Sequence, residues 1–187
     1  MLLINGIGAS LEALEPFVTA LDGAVEVIRF DPPGVGGSPL PPGPYRFTGL
    51  CRLIAGMLTE LGHDQADVLG ISWGGPADDA GPACGAGDWA AASTALHSDQ
   101  RNGPSRGYFY QLGAVAGWTG VPFLPWLRQP ALILAGDDDP IIPLANARLM
   151  HRLIRGSRLH VYPGGHLGLL TEAAGLAPVV DGFLSGP

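Results

Sequence analysis

A short aliphatic run that halts at a loop of Gly, Pro, Asn or Asp recurs along this chain. Leu2, Leu3 and Ile4 stop at Asn5 and Gly6, residues 24–30 (AVEVIRF) stop at DPPGVGGS, and residues 67–71 (DVLGI) run into Ser72. Residues 131–135 (ALILA) end at Gly136 and three aspartates, and residues 159–162 (LHVY) end at Pro163, Gly164, Gly165 and His166. Runs of this length, rich in Val, Ile and Leu and closed by turn formers, read as buried strands. Between them apolar residues recur at helical spacing. Pro16 opens a helix through Phe17, Val18 and Leu21. Phe47, Leu50, Ile54, Met57, Leu58 and Leu61 mark a second that Gly62 closes. Residues 144–153 form a third, and a last helix is expected from Thr171 as N-cap to Leu184. Strand alternating with helix predicts an α/β fold with a mostly parallel sheet flanked by helices on both faces. At 187 residues the expectation is a single domain, 1–187.

The stretch from 76 to 105 breaks this rhythm. It reads PADDAGPACGAGDWAAASTALHSDQRNGPS, with no clear period and no apolar run fit for a buried strand. It is read as an irregular segment and the least ordered part of the chain. Composition narrows the function classes. Gly (29) and Pro (18) are abundant, but 47% hydrophobic residues exclude simple disorder. Ten basic residues, all Arg and scattered, face 17 acidic ones for a net charge of -7, which excludes a nucleic-acid-binding face. Cys51 and Cys84 form no CxxC and have no His pair nearby, so neither a disulfide framework nor a structural metal is expected. No apolar run is long enough for a transmembrane segment, and the first residues lack the pattern of a signal peptide, so a cytoplasmic protein is expected.

The chemistry-bearing residues sit where the strands end. Gly70, Ile71, Ser72, Trp73 and Gly74 spell G-x-S-x-G directly after a predicted strand. In such a nucleophile elbow the glycines permit a sharp, close-packed turn that lifts the serine Oγ clear of the sheet. A serine needs a base, and the base needs a carboxylate to orient it. Ser72, then Asp137, Asp138 and Asp139, then His166 follow the chain order Ser, acid, His of α/β-hydrolases, each just after a strand. Ligands of open parallel sheets bind at that same carboxyl edge. His63, His97, His151 and His160 follow no strand by a short glycine loop and read as structural or surface residues. An oxyanion hole is expected from the backbone N–H groups of Trp73 and Ile7. Gly6 and Gly8 do not extend to a dinucleotide fingerprint, because the third glycine position is Leu11.

The runs NGIGAS, LEPFVTALD, FDPPGVGGS, PYRFTGL, GISWGG, LAGDDDPIIPL and GGHLGLL together resemble intracellular poly(3-hydroxyalkanoate) depolymerases of the medium-chain-length type, within the α/β-hydrolase superfamily. The resemblance covers residues 1–75 and about 104–185. It implies Ser72 as nucleophile, His166 as base and Asp139 as acid, with no cofactor and no metal. It also implies a hydrophobic polyester or acyl-ester substrate and, with it, contact with a storage-granule surface. The chain departs from the family pattern in two places. It begins almost inside the first core strand, so the fold is expected to be truncated at its N-terminal edge. Between Ser72 and Asp139 a core strand and most of the lid are wanting, leaving a lid remnant at about 106–127. Weak activity, best on small soluble esters, is the corresponding expectation, and the alternatives are another hydrolase on this scaffold (a small-ester esterase or C–C hydrolase) or a catalytically impaired chain that only binds hydrophobic granules.

Overall fold

The computed structural model describes residues 1–71, 106–116 and 119–186. The described residues divide into two compact units, with 1–15, 23–71 and 106–116 in one and 16–22 and 119–186 in the other. The expected irregular segment at 76–105 lies outside the described residues.

The first unit is built on a three-stranded parallel sheet. β1 (Leu2–Ile4) is central, with β2 (Ile28–Arg29) on one side and β3 (Val68–Gly70) on the other. Leu2 and Leu3 point to opposite faces, yet both are fully buried, as a central parallel strand requires. The expected strand at 24–30 shrinks to two residues, because β1 offers partners only to Ile28 and Arg29. Residues 24–27 approach the sheet through Glu26, whose carbonyl accepts the Met1 ammonium at 2.6 Å. Among the described residues β3 is paired on one edge only, and Val68 is 60% exposed. The crossover from β2 to β3 is a helix (Phe47–Glu60), as its spacing predicts, with Leu50 buried beneath it. The loop after β2 is organised by Asp31. Its carboxylate accepts the Leu11 N–H at 2.7 Å and the Gly37 N–H at 2.8 Å, tying this loop to the one after β1.

In the second unit β4 (Leu132–Gly136) and β5 (Arg158–Tyr162) pair in parallel along their whole length, Leu132 opposite Arg158 and Gly136 opposite Tyr162. A helix from Leu144 to Leu153 makes the crossover over the boundaries its sequence predicts. It closes a core of Ile133, Ala147 and Ile154 with Leu124, Leu144 and Leu159 packed around it. The final helix differs from expectation. A short turn, Gly168–Thr171, precedes the long helix Ala173–Leu184, and Glu172 between them leaves helical geometry at φ -117°. Thr171 therefore does not cap the helix; its hydroxyl donates back to the Leu167 carbonyl at 3.4 Å. Leu176, Ala177 and Val180 bury the inner face of the long helix.

Candidate active site

The loops that leave β4 and β5 are knitted together by backbone bonds. Asp137 N–H donates to the Tyr162 carbonyl at 3.0 Å and Asp138 N–H to the Gly164 carbonyl at 3.1 Å. The Asp137 carboxylate accepts the Gly164 N–H at 3.0 Å, and the Tyr162 hydroxyl donates to the Gly165 carbonyl at 3.1 Å. These contacts bracket His166 on its N-terminal side. Burial pushes the Tyr162 phenol pKa up, and the neighbouring Asp139 charge adds to that shift.

The three aspartates part ways in this frame. Asp137 and Asp138 are exposed, and Asp137 serves the loop. Asp139 turns inward. One oxygen, Oδ1, accepts the N–H groups of Ile141 and Ile142, both at 2.8 Å; the other, Oδ2, lies 2.8 Å from His166 Nδ1. Both side chains of the pair are 10% exposed. With a carboxylate as its partner, Nδ1 carries the ring proton and Nε2 presents its lone pair. An imidazole held in that tautomer by a sheltered carboxylate is equipped to take a proton from a neighbouring hydroxyl. Of the three aspartates in LAGDDDP the resemblance implies Asp139, and the side-chain geometry brings that residue to His166.

Ser72 and Trp73 lie outside the described residues. The strand that delivers them is described: β3 ends at Gly70, and Ile71 N–H donates to the Ile4 carbonyl at 3.0 Å, continuing the pairing with β1. The loop after β1 holds Ile7. Ala9 N–H donates to the Gly6 carbonyl at 3.2 Å, closing a β-turn with Ile7 and Gly8 at its centre. Gly8 takes φ +74° while Ile7 keeps a negative φ, which is the type II pattern and the reason glycine stands third. Of the two central N–H groups, that of Gly8 is bonded to Gln111 Oε1 at 2.8 Å. No acceptor among the described residues takes the Ile7 N–H.

One residue beside each of these loops, in its own unit, is not among the sequence candidates. Gln111 is fully buried in the helix Arg106–Val115, and Tyr162 holds the loop before His166. Gln111 leaves one faint signal in the sequence, a lone amide within the apolar run YFYQL. Among the described residues no group of His, Cys, Asp and Glu could hold a metal ion. Among the described residues one histidine does meet a serine, His151 Nδ1 to Ser157 Oγ at 2.9 Å, and that contact is structural: the hydroxyl is buried against the Ile154 and His151 carbonyls.

Comparison with known proteins agrees with this architecture. A family model described as alpha/beta hydrolase fold matches residues 1–76 and 90–173, leaving a break over 77–89. The chain is 39% identical to a poly(3-hydroxyalkanoate) depolymerase of Ectopseudomonas oleovorans, over 98% of this chain and 83% of the relative. That match spans 236 residues, more than this chain's 187, so the relative carries residues inside it that are missing here. Among solved structures, a hydrolase from Pseudomonas aeruginosa superposes with a TM-score of 0.84 at 21% identity, covering 99% of this chain and 89% of its own. The enol-lactonase of Burkholderia xenovorans superposes with a TM-score of 0.83 at 21% identity, covering 98% and 90%. With parallel strands, crossover helices and an acid–histidine pair on adjacent strand ends, the chain belongs to the α/β-hydrolase fold family.

Proposed function

We propose that this protein is a carboxylic ester hydrolase acting on 3-hydroxyacyl esters, either poly(3-hydroxyalkanoate) or its oligomers. The observation that carries the reading is the Asp139–His166 pair, held at 2.8 Å in a chain 39% identical to a polyester depolymerase. Ser72 Oγ attacks the ester carbonyl while His166 Nε2 accepts its proton. Asp139 keeps the imidazole in the working tautomer and balances the imidazolium that forms. The oxyanion of the tetrahedral intermediate is met by the N–H groups of Ile7 and Trp73. Collapse expels the alcohol, which takes the proton back from His166, and water then releases the acyl group from Ser72 by the same steps.

The substrate side of the reading includes adhesion to a hydrophobic storage-granule surface in the cytoplasm. Phe123 and Trp126, 57% and 74% exposed, stack edge to face at 6.1 Å and present an apolar surface of the right kind. Among the described residues no helix is long and apolar enough to cross a membrane.

The break over 77–89 favours a second, narrower reading: turnover confined to small soluble esters, with polymer chains poorly held. Labelling with a serine-directed phosphonate tests the chemistry. Wild type is expected to label and Ser72→Ala to remain unlabelled; equal labelling removes Ser72 from the mechanism. Acyl esters of increasing chain length, assayed beside polyester particles, decide between the two substrate ranges.

A further inference from the structure

Gln111 has no exposed surface, and a buried amide costs about 1–3 kcal/mol unless it is bonded. Its orientation is determined, because the Gly8 N–H is a donor and must face Oε1, leaving Nε2 on the far side. Gly107, one helical turn earlier on the same face, passes so close to the Gly34 carbonyl that a Cβ there would overlap it. Ala114, one turn later, is buried as well. The face formed by 107, 111 and 114 therefore docks the helix Arg106–Val115 on the loops that follow β1 and β2. Asn5 braces the same turn from within, its Nδ2 donating to the Ser10 carbonyl at 2.6 Å. Among the described residues Asn5 Oδ1 and Gln111 Nε2 are buried and meet no hydrogen-bond partner.

We propose that Gln111 is the positioning residue of the oxyanion site. By taking the Gly8 N–H it holds the central peptide of the turn and leaves the Ile7 N–H as the one aimed at substrate. The role rests on the reading of Ile7 as an oxyanion donor. Gln111 itself touches neither the substrate nor the reacting atoms. An oxyanion donor displaced from its position costs about 10²–10³-fold in kcat, and a turn that wanders forfeits part of that.

The test compares Gln111→Leu, Gln111→Glu and Ser72→Ala with wild type on a soluble p-nitrophenyl acyl ester, with amide hydrogen exchange read in parallel. Gln111→Leu, which keeps volume but loses the acceptor, is expected to lower kcat by about 10- to 100-fold while KM stays within about twofold. Gln111→Glu, which keeps an acceptor for Gly8, is expected to recover most of that loss. The Gly8 amide should be protected in wild type and exposed in Gln111→Leu, with the Leu3 amide of β1 protected in both. Loss of turnover in Ser72→Ala beside an unchanged kcat in Gln111→Leu overturns this role alone. Full turnover by Ser72→Ala overturns the reading of the site, and this role with it. Should Gln111→Leu fail to fold, rapid exchange of Gly8 in wild type, or no difference between Gln111→Glu and a fully inactive variant, overturns it.

Discussion

Gly136, the last residue of β4, runs so close to Gly164 that a Cβ on Gly136 would overlap the Gly164 carbonyl oxygen. The loop bearing His166 thus depends on a missing side chain on the neighbouring strand. Backbone is on both sides of the contact, so nothing flexible can yield. Gly136→Ala is expected to destabilise the fold by about 1–3 kcal/mol and to displace the histidine loop, lowering kcat more than it raises KM. Urea unfolding and steady-state kinetics on the same variant check both parts.

The division of labour among the three aspartates gives a graded series. Asp139→Asn keeps the shape but lets the amide donate to Nδ1, which moves the ring proton to Nε2, where the lone pair is needed. A loss of about 10²–10⁴-fold in kcat is expected. Asp137→Asn keeps an oxygen for the Gly164 N–H and is expected to stay within a few-fold of wild type. Asp138→Asn, at an exposed side chain, should be silent. Phosphonate labelling rates rank the three without needing the natural substrate.

Tyr162 predicts an alkaline limit to stability. Its phenol has a folded-state pKa raised above the ordinary 10.0, by burial first and the Asp139 charge second. The folded state therefore prefers the protonated form. Its contribution is complete below pH 10 and is lost as pH rises toward the folded pKa, because the unfolded chain releases its proton first. Urea midpoints measured from pH 8 to 11 should fall less steeply in Tyr162→Phe than in wild type. At pH 8 the same variant is expected to lose about 1 kcal/mol, through the hydrogen bond to the Gly165 carbonyl.

Adhesion and turnover should separate. Phe123 and Trp126 lie in the stretch Val121–Trp126, away from the Asp139–His166 pair in sequence and in hydrogen bonding. The double variant Phe123→Ser with Trp126→Ser is expected to reduce binding to polyester particles by about tenfold or more, since each ring withdraws a large apolar area from water on docking. Small-ester kcat/KM should stay within about twofold. A sedimentation assay with particles, run beside the soluble assay, would expose any shared loss.

Elements whose cause is local were legible in the chain. The helix Leu144–Leu153 follows from apolar spacing and from Pro143 before it, and the strands β4 and β5 from their apolar runs. The order of Ser72, the aspartates and His166 on successive strand ends needs only the alternation of elements. The extent of β2 was not legible, because a strand's length is set by its partner, and β1 offers pairing only to Ile28 and Arg29. The resemblance already implied Asp139 among the three aspartates, but the inward turn of its carboxylate depends on loops 27 residues apart in the chain meeting at His166, which only tertiary structure shows. Gln111 is the extreme case. Its hydrogen bond to Gly8 spans 103 residues, and no local pattern encodes a contact that exists only once a helix has docked on a distant turn. Local pattern suffices to put Asp139 and His166 at the ends of strands, whereas the atoms that meet there are set by non-local packing, because contacts of hydrogen-bond length form only once distant loops have docked.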